Sequence, residues 1–215
     1  MMRKSALLLL LVFIAQCLQA QVKTPKLTAY KQFKPSIIKL KDGRTLRQPL
    51  TNIFLKNSSL LYMNGTNSME AKMDNIVSVE FDDRYYVKID TLLCYRVDSV
   101  GSNALFCATI IDVPAYQQQL KNNQVISNLD FDFSGALGGQ LSTATVDIST
   151  EDDYKFPLID IFYYLYNGKF IRVHERILNR TLNKEQRRVM RTHLMLPDFS
   201  WTKADCLINL LKDLH

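Results

Sequence analysis

The sequence predicts an α+β fold that is predominantly antiparallel β, with helices at the C-terminal end. Three observations favour this class. Short runs rich in β-branched and aromatic residues recur along the chain, and tight-turn pairs such as Asp42-Gly43 and Asn167-Gly168 separate them. From about position 179 the apolar residues change to helical spacing. Apolar residues make up 47% of the chain and charged residues 22%, which is typical of a folded globular protein.

The N-terminal segment 1–20 predicts a secretory signal peptide. Arg3 and Lys4 precede an uncharged apolar run at 6–15, and Ala20 is a small residue just before the polar segment that starts at Gln21. A membrane-spanning helix needs about twenty apolar residues, roughly twice the length of this run. We therefore expect an exported protein without a transmembrane helix in its mature chain, located in the periplasm or associated with the outer membrane.

Cys17 leaves an alternative open. In a lipoprotein the signal is cleaved just before a cysteine, whose thiol then carries the lipid. Ile14 and Ala15 suit that reading, but Gln16 does not, because a small residue is required there. Cleavage after Ala20 is the preferred interpretation, and a lipid-anchored accessory subunit of an envelope complex is the alternative.

Segment 21–35 is rich in lysine, contains Pro25 and Pro35 and lacks periodicity, so we expect a flexible leader or an edge segment there. Segment 36–84 then predicts five short strands joined by tight turns. This pattern indicates a small β-barrel-like module or a strongly twisted sheet.

Two features of this module carry a resemblance. An apolar strand followed by Asp42-Gly43-Arg44, and the strand run at 75–81, are similar to the small SH3-like or Sm-like barrels of exported bacterial proteins. The resemblance implies a barrel-like fold for this module and no function. The whole chain also resembles uncharacterised exported proteins of the Bacteroidota, through a signal that ends in Gln-Ala-Gln and through its strand pattern.

Segment 85–178 predicts a second module, an antiparallel β-sheet. Long apolar runs at 85–97 and 104–111 come first, and Asp112 with Pro114 then predicts the start of a short helix. The remaining expected elements are strands at 125–133 and 141–148 around a Gly-rich connection at 134–139, and a hairpin formed by 159–166 and 170–177.

Two rules disagree about the turn of that last hairpin. The pair Asn167-Gly168 favours a two-residue loop. A three-residue loop would instead separate apolar residues such as Tyr163 on one face from Arg172 and His174 on the other. Because a slip of one residue inverts every side chain of a sheet with one buried face, we predict the three-residue loop.

The C-terminal segment 179–215 predicts helices. Asn183 is a suitable N-cap for a helix that reaches His193, and Pro197 ends it. A last helix carries an apolar stripe formed by Cys206, Leu207, Leu210 and Leu211. On this stripe Cys206 is expected to pack in the core rather than to react.

Removal of the signal leaves Cys94, Cys107 and Cys206, of which the first two are the candidate disulfide. In a hairpin that turns through 99–102, position 94 faces position 107, and an exported protein meets an oxidising compartment. A bridge would close a short loop and stabilise the fold by about 3 kcal/mol. The alternative is two buried thiols that pack as small hydrophobic side chains.

Basic residues near the C-terminus predict an anion-binding or protein-docking face. Phosphorylated lipid headgroups, acidic glycans and an acidic partner protein all suit such a face. The alternative is a solvated basic surface balanced by Asp160, Glu175 and Glu185. The residues of the predicted face are Arg172, His174, Arg176, Arg187, Arg188 and Arg191.

Two short motifs, Asp90-Thr91-Leu92 and Asp98-Ser99-Val100, resemble the Asp-Ser/Thr-apolar acceptor motif of periplasmic O-glycosylation in the Bacteroidota. The resemblance implies a glycan on Ser99 or Thr91. Ser99 is preferred because we expect it to lie on a turn.

No catalytic, cofactor or metal motif is present in the sequence: HExxH, CxxC, a P-loop lysine and GxSxG are all missing. The formal net charge is +6, and the predicted loss of Arg3 and Lys4 with the signal lowers it, so nucleic acid is not an expected partner. The sequence predicts a non-catalytic binding or structural protein of a Gram-negative envelope, with an envelope protein or an acidic ligand as its partner. A small secreted hydrolase that gathers scattered residues such as Asp160, His174 or Asp82 is the alternative.

Overall fold

The computed structural model describes residues 23–24, 27–123 and 156–214, which form eleven strands and four helices. The strands are β1 (Lys23–Thr24), β2 (Lys34–Leu40), β3 (Thr45–Phe54), β4 (Ser59–Asn64), β5 (Asn67–Glu70), β6 (Ile76–Glu80), β7 (Tyr85–Ile89), β8 (Leu92–Val100), β9 (Asn103–Ile111), β10 (Phe156–Tyr166) and β11 (Lys169–Arg172). The helices are α1 (Val113–Asn123), α2 (Glu175–Thr181), α3 (Lys184–Leu194) and α4 (Ala204–Asp213). The predicted α+β class with a mainly antiparallel sheet is confirmed.

The described strands form one sheet in the order β1-β10-β9-β8-β7-β6-β2-β3-β4-β5, and β11 pairs with a further part of β10. The sheet is not closed, so the barrel expected for 36–84 is not shown. It also continues from β6 to β7, where Ser78 lies opposite Val87 and Glu80 opposite Tyr85. The division into two modules at position 84 therefore stays a prediction.

The sheet curls so that the connection after β3 reaches β8 and β9. The Ser58 side chain donates a 2.7 Å hydrogen bond to the Leu93 carbonyl, and the Leu93 amide donates to the Ser58 carbonyl at 2.9 Å. The Ile111 amide donates to the Leu55 carbonyl at 2.8 Å. Since Ser58 and Leu93 are both buried, these bonds satisfy backbone groups that water cannot reach.

The main hydrophobic core lies between the β8–β11 part of the sheet and the helices α2 to α4. The side chains of the helices that face the sheet are apolar, and burial of this area supplies the main drive for the helices to dock. The buried members of this core are Leu105, Cys107, Phe162, Tyr164, Tyr166, Ile171, Leu178, Leu182, Met190, Leu207, Ile208, Leu210, Leu211 and Leu214.

Two tyrosines of β10 fasten α4 to the sheet. The Tyr164 hydroxyl donates a 2.7 Å hydrogen bond to the Leu207 carbonyl, and the Tyr166 hydroxyl donates to the Leu214 carbonyl at 2.7 Å. Both hydroxyls are buried, where an unpaired polar group is costly. The helical layer is therefore held by directed bonds as well as by apolar contact.

The turn between β10 and β11 is a two-residue loop, so the predicted three-residue loop is wrong. Leu165 lies opposite Phe170, and the loop residues Asn167 and Gly168 have φ values of 50° and 74°. Such positive values suit a type I′ turn, which matches the twist of the strands.

The prediction failed because β10 does not have a single buried face. Phe162 packs in the helix-covered core, while its neighbour Tyr163 packs on the other face with Cys94 and Phe106. The register rule assumed one buried face, and with two buried faces it no longer favours one turn over the other.

Two of the predicted helix starts are confirmed, whereas α2 begins at Glu175, where a strand was predicted. Asn183 caps α3 in a capping box, since its side chain accepts from the Gln186 amide and the Gln186 side chain accepts from the Asn183 amide. The Asp112 carboxylate accepts from the Ala115 amide at the start of α1, at 3.1 Å. The apolar stripe of α4 is confirmed for Leu207, Leu210 and Leu211, but Cys206 is only half-buried, so its predicted place in the core is not confirmed.

Several predictions concern residues outside those that the structure describes. They are the signal peptide at 1–20 with Cys17, the strands at 125–133 and 141–148, and the Gly-rich connection at 134–139. Part of the expected leader is described: Leu27 is buried, and Thr28 forms a β-bridge with Phe54.

Candidate functional site

The helix α3 has one buried and one basic side. Met190 faces the core and is 0% exposed. Lys184, Arg188 and Arg191 are exposed and follow one another at helical spacing on the opposite side. We call these three residues the basic stripe.

The charge of the basic stripe is not neutralised by ion pairs within the described residues. The described ion pairs join Lys34 to Asp82 and Asp83, Arg44 to Asp42, and His193 to Asp213. Segment 169–214 as a whole carries ten Lys and Arg against five Asp and Glu. An excess of unpaired cations on one helical layer leaves a positive surface that attracts anions.

Helix stability accounts for only one residue of the basic stripe, Arg191, which lies in the last turn of α3, where a cation complements the helix dipole. Lys184 opens α3, and a cation at a helix N-terminus opposes the helix dipole rather than complementing it. Glu185 is three residues before Arg188, yet no ion pair joins them in the described part of the chain. A role outside the folded chain is therefore the better account of Lys184 and Arg188.

The six residues predicted as a basic face lie in two places. Arg172, His174 and Arg176 are exposed where β11 passes into α2, and Arg187, Arg188 and Arg191 belong to α3. No hydrogen bond or ion pair between described residues joins the two groups. Only the second group forms a regular array on a helix.

His174 has a structural role that the sequence did not indicate. It is the N-cap of α2, and its Nδ1 atom accepts a 3.2 Å hydrogen bond from the Arg176 amide. A second contact of this kind involves Arg187, whose Nε atom donates to the Asn183 carbonyl at 3.4 Å. These bonds hold the side chains of His174 and Arg187 against the local backbone, whereas the side chains of Arg188 and Arg191 make no such bond among the described residues.

An exposed apolar pair follows directly after α3 and was missed by the sequence analysis. Met195 is 83% exposed and Leu196 is 52% exposed. The only sequence signal for them was their position at a helix end, just before Pro197. We call Met195 and Leu196 the apolar tip.

The apolar tip is held in an ordered turn. The Met195 amide donates to the Arg191 carbonyl at 3.2 Å, and the Phe199 amide donates to the Leu196 carbonyl at 3.1 Å. Phe199 packs edge-on against Trp201 with ring centroids 5.0 Å apart. The tip is thus presented outward by a hydrogen-bonded backbone.

The two strand cysteines do not face each other, so the predicted pairing is wrong. Tyr95 lies opposite Cys107, and the register of β8 and β9 shifts between Arg96 and Asp98. That irregularity puts Cys107 in the helix-covered core and Cys94 on the other face of the sheet. Both are free thiols in the structure.

The thiols of Cys94 and Cys107 are also expected to be unreactive near neutral pH. Burial raises the pKa of Cys94 above its usual range and raises the pKa of Cys107 to about 12. The reactive form of cysteine is the thiolate, so both remain protonated near neutral pH. The alternative of two buried, hydrophobically packed thiols is what the structure contains.

The two predicted glycosylation residues are both exposed. Thr91 follows Asp90 in the tight connection between β7 and β8, where Asp90 has a φ of 53°. Ser99 lies within β8 opposite Ala104, not on the expected turn. Modification of either residue stays a prediction.

The residues named for a scattered hydrolase site lie in three different settings. The Asp82 carboxylate accepts a 3.1 Å hydrogen bond from Lys34, which lowers the pKa of Asp82. Asp160 accepts from the Thr109 hydroxyl at 2.6 Å on the sheet surface, and His174 caps α2. A groove of about 450 Å³ includes Asp82 but neither of the other two.

The described residues contain neither a metal-binding cluster nor a membrane-spanning helix. They contain no group of three or more His, Cys, Asp or Glu side chains arranged to hold a metal ion. None of their helices has both the length and the apolar character that crossing a membrane requires.

Comparison with known proteins adds no family. No family model, no curated protein and no solved structure matches the chain. The resemblances to small barrels and to exported proteins of the Bacteroidota stay predictions. The basic stripe and its surroundings are therefore the features of the molecule from which a function can be inferred.

Proposed function

We propose that the protein is an exported, non-catalytic binding component of a Gram-negative cell envelope that binds an anionic partner through the basic stripe. The observation that carries this proposal is the division of α3 into a fully buried anchor, Met190, and an exposed row of cations without ion pairs among the described residues. Export is inferred from segment 1–20, which the sequence marks as a signal peptide.

The chemistry of the stripe suits phosphate and carboxylate groups. Arg188 and Arg191 present planar guanidinium groups, which bind such anions with paired hydrogen bonds. Lys184 adds a compact charge at the start of the same row. Because the opposite side of α3 is fixed in the core, the three side chains share a rigid support and lose little backbone freedom on binding.

The test is binding to inorganic polyphosphate at low salt, measured by titration calorimetry. The variant K184Q/R188Q/R191Q removes the stripe, and glutamine keeps the helix propensity high. Each exposed ion pair contributes up to about 1 kcal/mol, so we expect roughly a tenfold to hundredfold loss of affinity.

The matched control is K39Q/K41Q/K72Q, which removes three exposed lysines outside the helical layer. Lys39 lies in β2, Lys41 follows β2, and Lys72 precedes the 3-10 turn at Met73–Asn75. This variant has the same net charge as the stripe variant. Equal loss of affinity in both variants would mean that net charge alone attracts polyphosphate, and the stripe would not be a site.

A further inference from the structure

We infer that the end of α3 docks on an anionic lipid bilayer, with the apolar tip inserted at the membrane surface and the basic stripe on the lipid phosphates. This inference rests on the proposed function, because the same cations take part. It adds the nature of the partner, a lipid surface, and a second set of contacts made by Met195 and Leu196.

The exposure of the apolar tip is the first argument. Met195, at 83%, exceeds every other exposed large hydrophobic residue in the described ranges; Leu46 and Leu50 on β3, for example, reach 40% and 46%. Adjacent Leu196 extends the same apolar surface. Two neighbouring apolar side chains held outward by a hydrogen-bonded turn have no role in the core, and a lipid surface would remove them from water.

The alignment of tip and stripe is the second argument. Lys184, Arg188, Arg191 and Met195 follow at intervals of four, three and four residues, so they lie on one side of the helix. At a rise of 1.5 Å per residue this row is about 16 Å long. Interfacial segments bury their apolar part about 5–10 Å deep. A helix tilted with its C-terminal end down therefore places the tip among the acyl chains and the arginines beside the headgroups.

The apolar tip favours a lipid surface over a soluble polyanion. Phe199 and half-buried Trp201 pack against each other and against the helix-covered core, and the Phe199 amide donates to the Leu196 carbonyl, so the turn that carries the tip is anchored to the folded chain. A lipid surface can take up the tip, whereas a soluble polyanion offers no apolar surface for it to contact. Asp198 is the acidic residue beside the tip, and the charge excess of segment 169–214 outweighs it.

The test uses the mature protein as its native host exports it, with two kinds of vesicle: phosphatidylcholine alone, and phosphatidylcholine mixed with phosphatidylglycerol. Co-sedimentation measures affinity. Trp201 is the single tryptophan of the chain and packs on Phe199, three residues after Leu196, so its emission reports changes beside the tip. We expect binding to the mixed vesicles only, with a shift of the Trp201 emission to shorter wavelength.

Two variants separate the parts of the proposal. M195Q/L196Q should bind mixed vesicles about tenfold more weakly or worse, because it removes the apolar contribution, and should bind polyphosphate as the unaltered protein does. K184Q/R188Q/R191Q should lose affinity for both, by about fivefold per charge on the vesicles. The control L46Q/L50Q, which alters an exposed apolar pair elsewhere, should change neither.

Other results overturn the inference. If M195Q/L196Q keeps full affinity for mixed vesicles, the tip does not insert, while the proposed anion binding still stands. If the protein binds polyphosphate but neither kind of vesicle, the partner is a soluble acidic molecule. If it binds none of these, the inference and the proposed function both fail.

Discussion

Met190 of α3 and Met195, the residue directly after the helix, provide a direct test of how the helix packs on the sheet. Met190 is 0% exposed in the core, and Met195 is 83% exposed at the tip. Replacing a fully buried methionine by alanine removes its transfer free energy and leaves a cavity, for a total cost of about 2–5 kcal/mol. Met195→Ala should change the free energy of unfolding by less than about 0.5 kcal/mol, as is usual for surface sites.

Urea denaturation followed by Trp201 fluorescence measures both variants. With a urea dependence of about 2–3 kcal/mol per molar, Met190→Ala should lower the midpoint by about 1 M or more. Met195→Ala should leave the midpoint unchanged. A neutral Met190→Ala variant would mean that α3 is not packed on the sheet, and the division of its surface into core and basic sides would be lost.

Two further predictions concern the thiols and one concerns the hairpin turn. Of the three described cysteines, maleimide at neutral pH without denaturant should label only half-buried Cys206, and labelling of Cys94 or Cys107 would contradict their burial. Because burial raises the pKa of Cys107 from 9.0 to about 12 and also raises the pKa values of Cys94 and Tyr164, the stability that these uncharged groups provide is complete below about pH 9 and is lost as the pH rises toward about 12, which urea midpoints across that range should show. Gly168→Ala should destabilise by about 1 kcal/mol since the φ there is 74°, and an unchanged urea midpoint would refute the two-residue turn.

Local structure was predictable from the sequence where short-range contacts decide it. The capping box of Asn183 and Gln186 and the Asp112 cap need only residues three apart in the chain. The tight turns are likewise local, and the Asn167-Gly168 pair alone gave the right answer for the last hairpin. The error there came from adding a long-range assumption, that β10 buries a single face.

Features that depend on contacts between distant parts of the chain could not be predicted from the sequence in the same way. A register shift between Arg96 and Asp98 moves the partner of Cys107 from Cys94 to Tyr95, and nothing in the sequence marks that irregularity. Whether a curled sheet closes depends on contacts such as Ser58 with Leu93, which are 35 positions apart.

The prediction of a single basic face was only partly right, because its six residues lie in two separate places. The sequence identified the arginines of α3, because their spacing is visible along the chain. It also grouped them with Arg172, His174 and Arg176, which the structure places at another junction, with His174 used as a helix cap. The apolar tip escaped notice because its exposure depends on where α3 ends relative to the core.

The central claim is that the basic stripe binds anions as a site, and the salt dependence of polyphosphate affinity tests it most directly. Plotted as the logarithm of affinity against the logarithm of salt concentration, the slope counts the ion contacts released on binding. We predict a clearly shallower slope for K184Q/R188Q/R191Q than for the unaltered protein, and an unchanged slope for K39Q/K41Q/K72Q. Equal slopes for the stripe variant and the unaltered protein would contradict the claim.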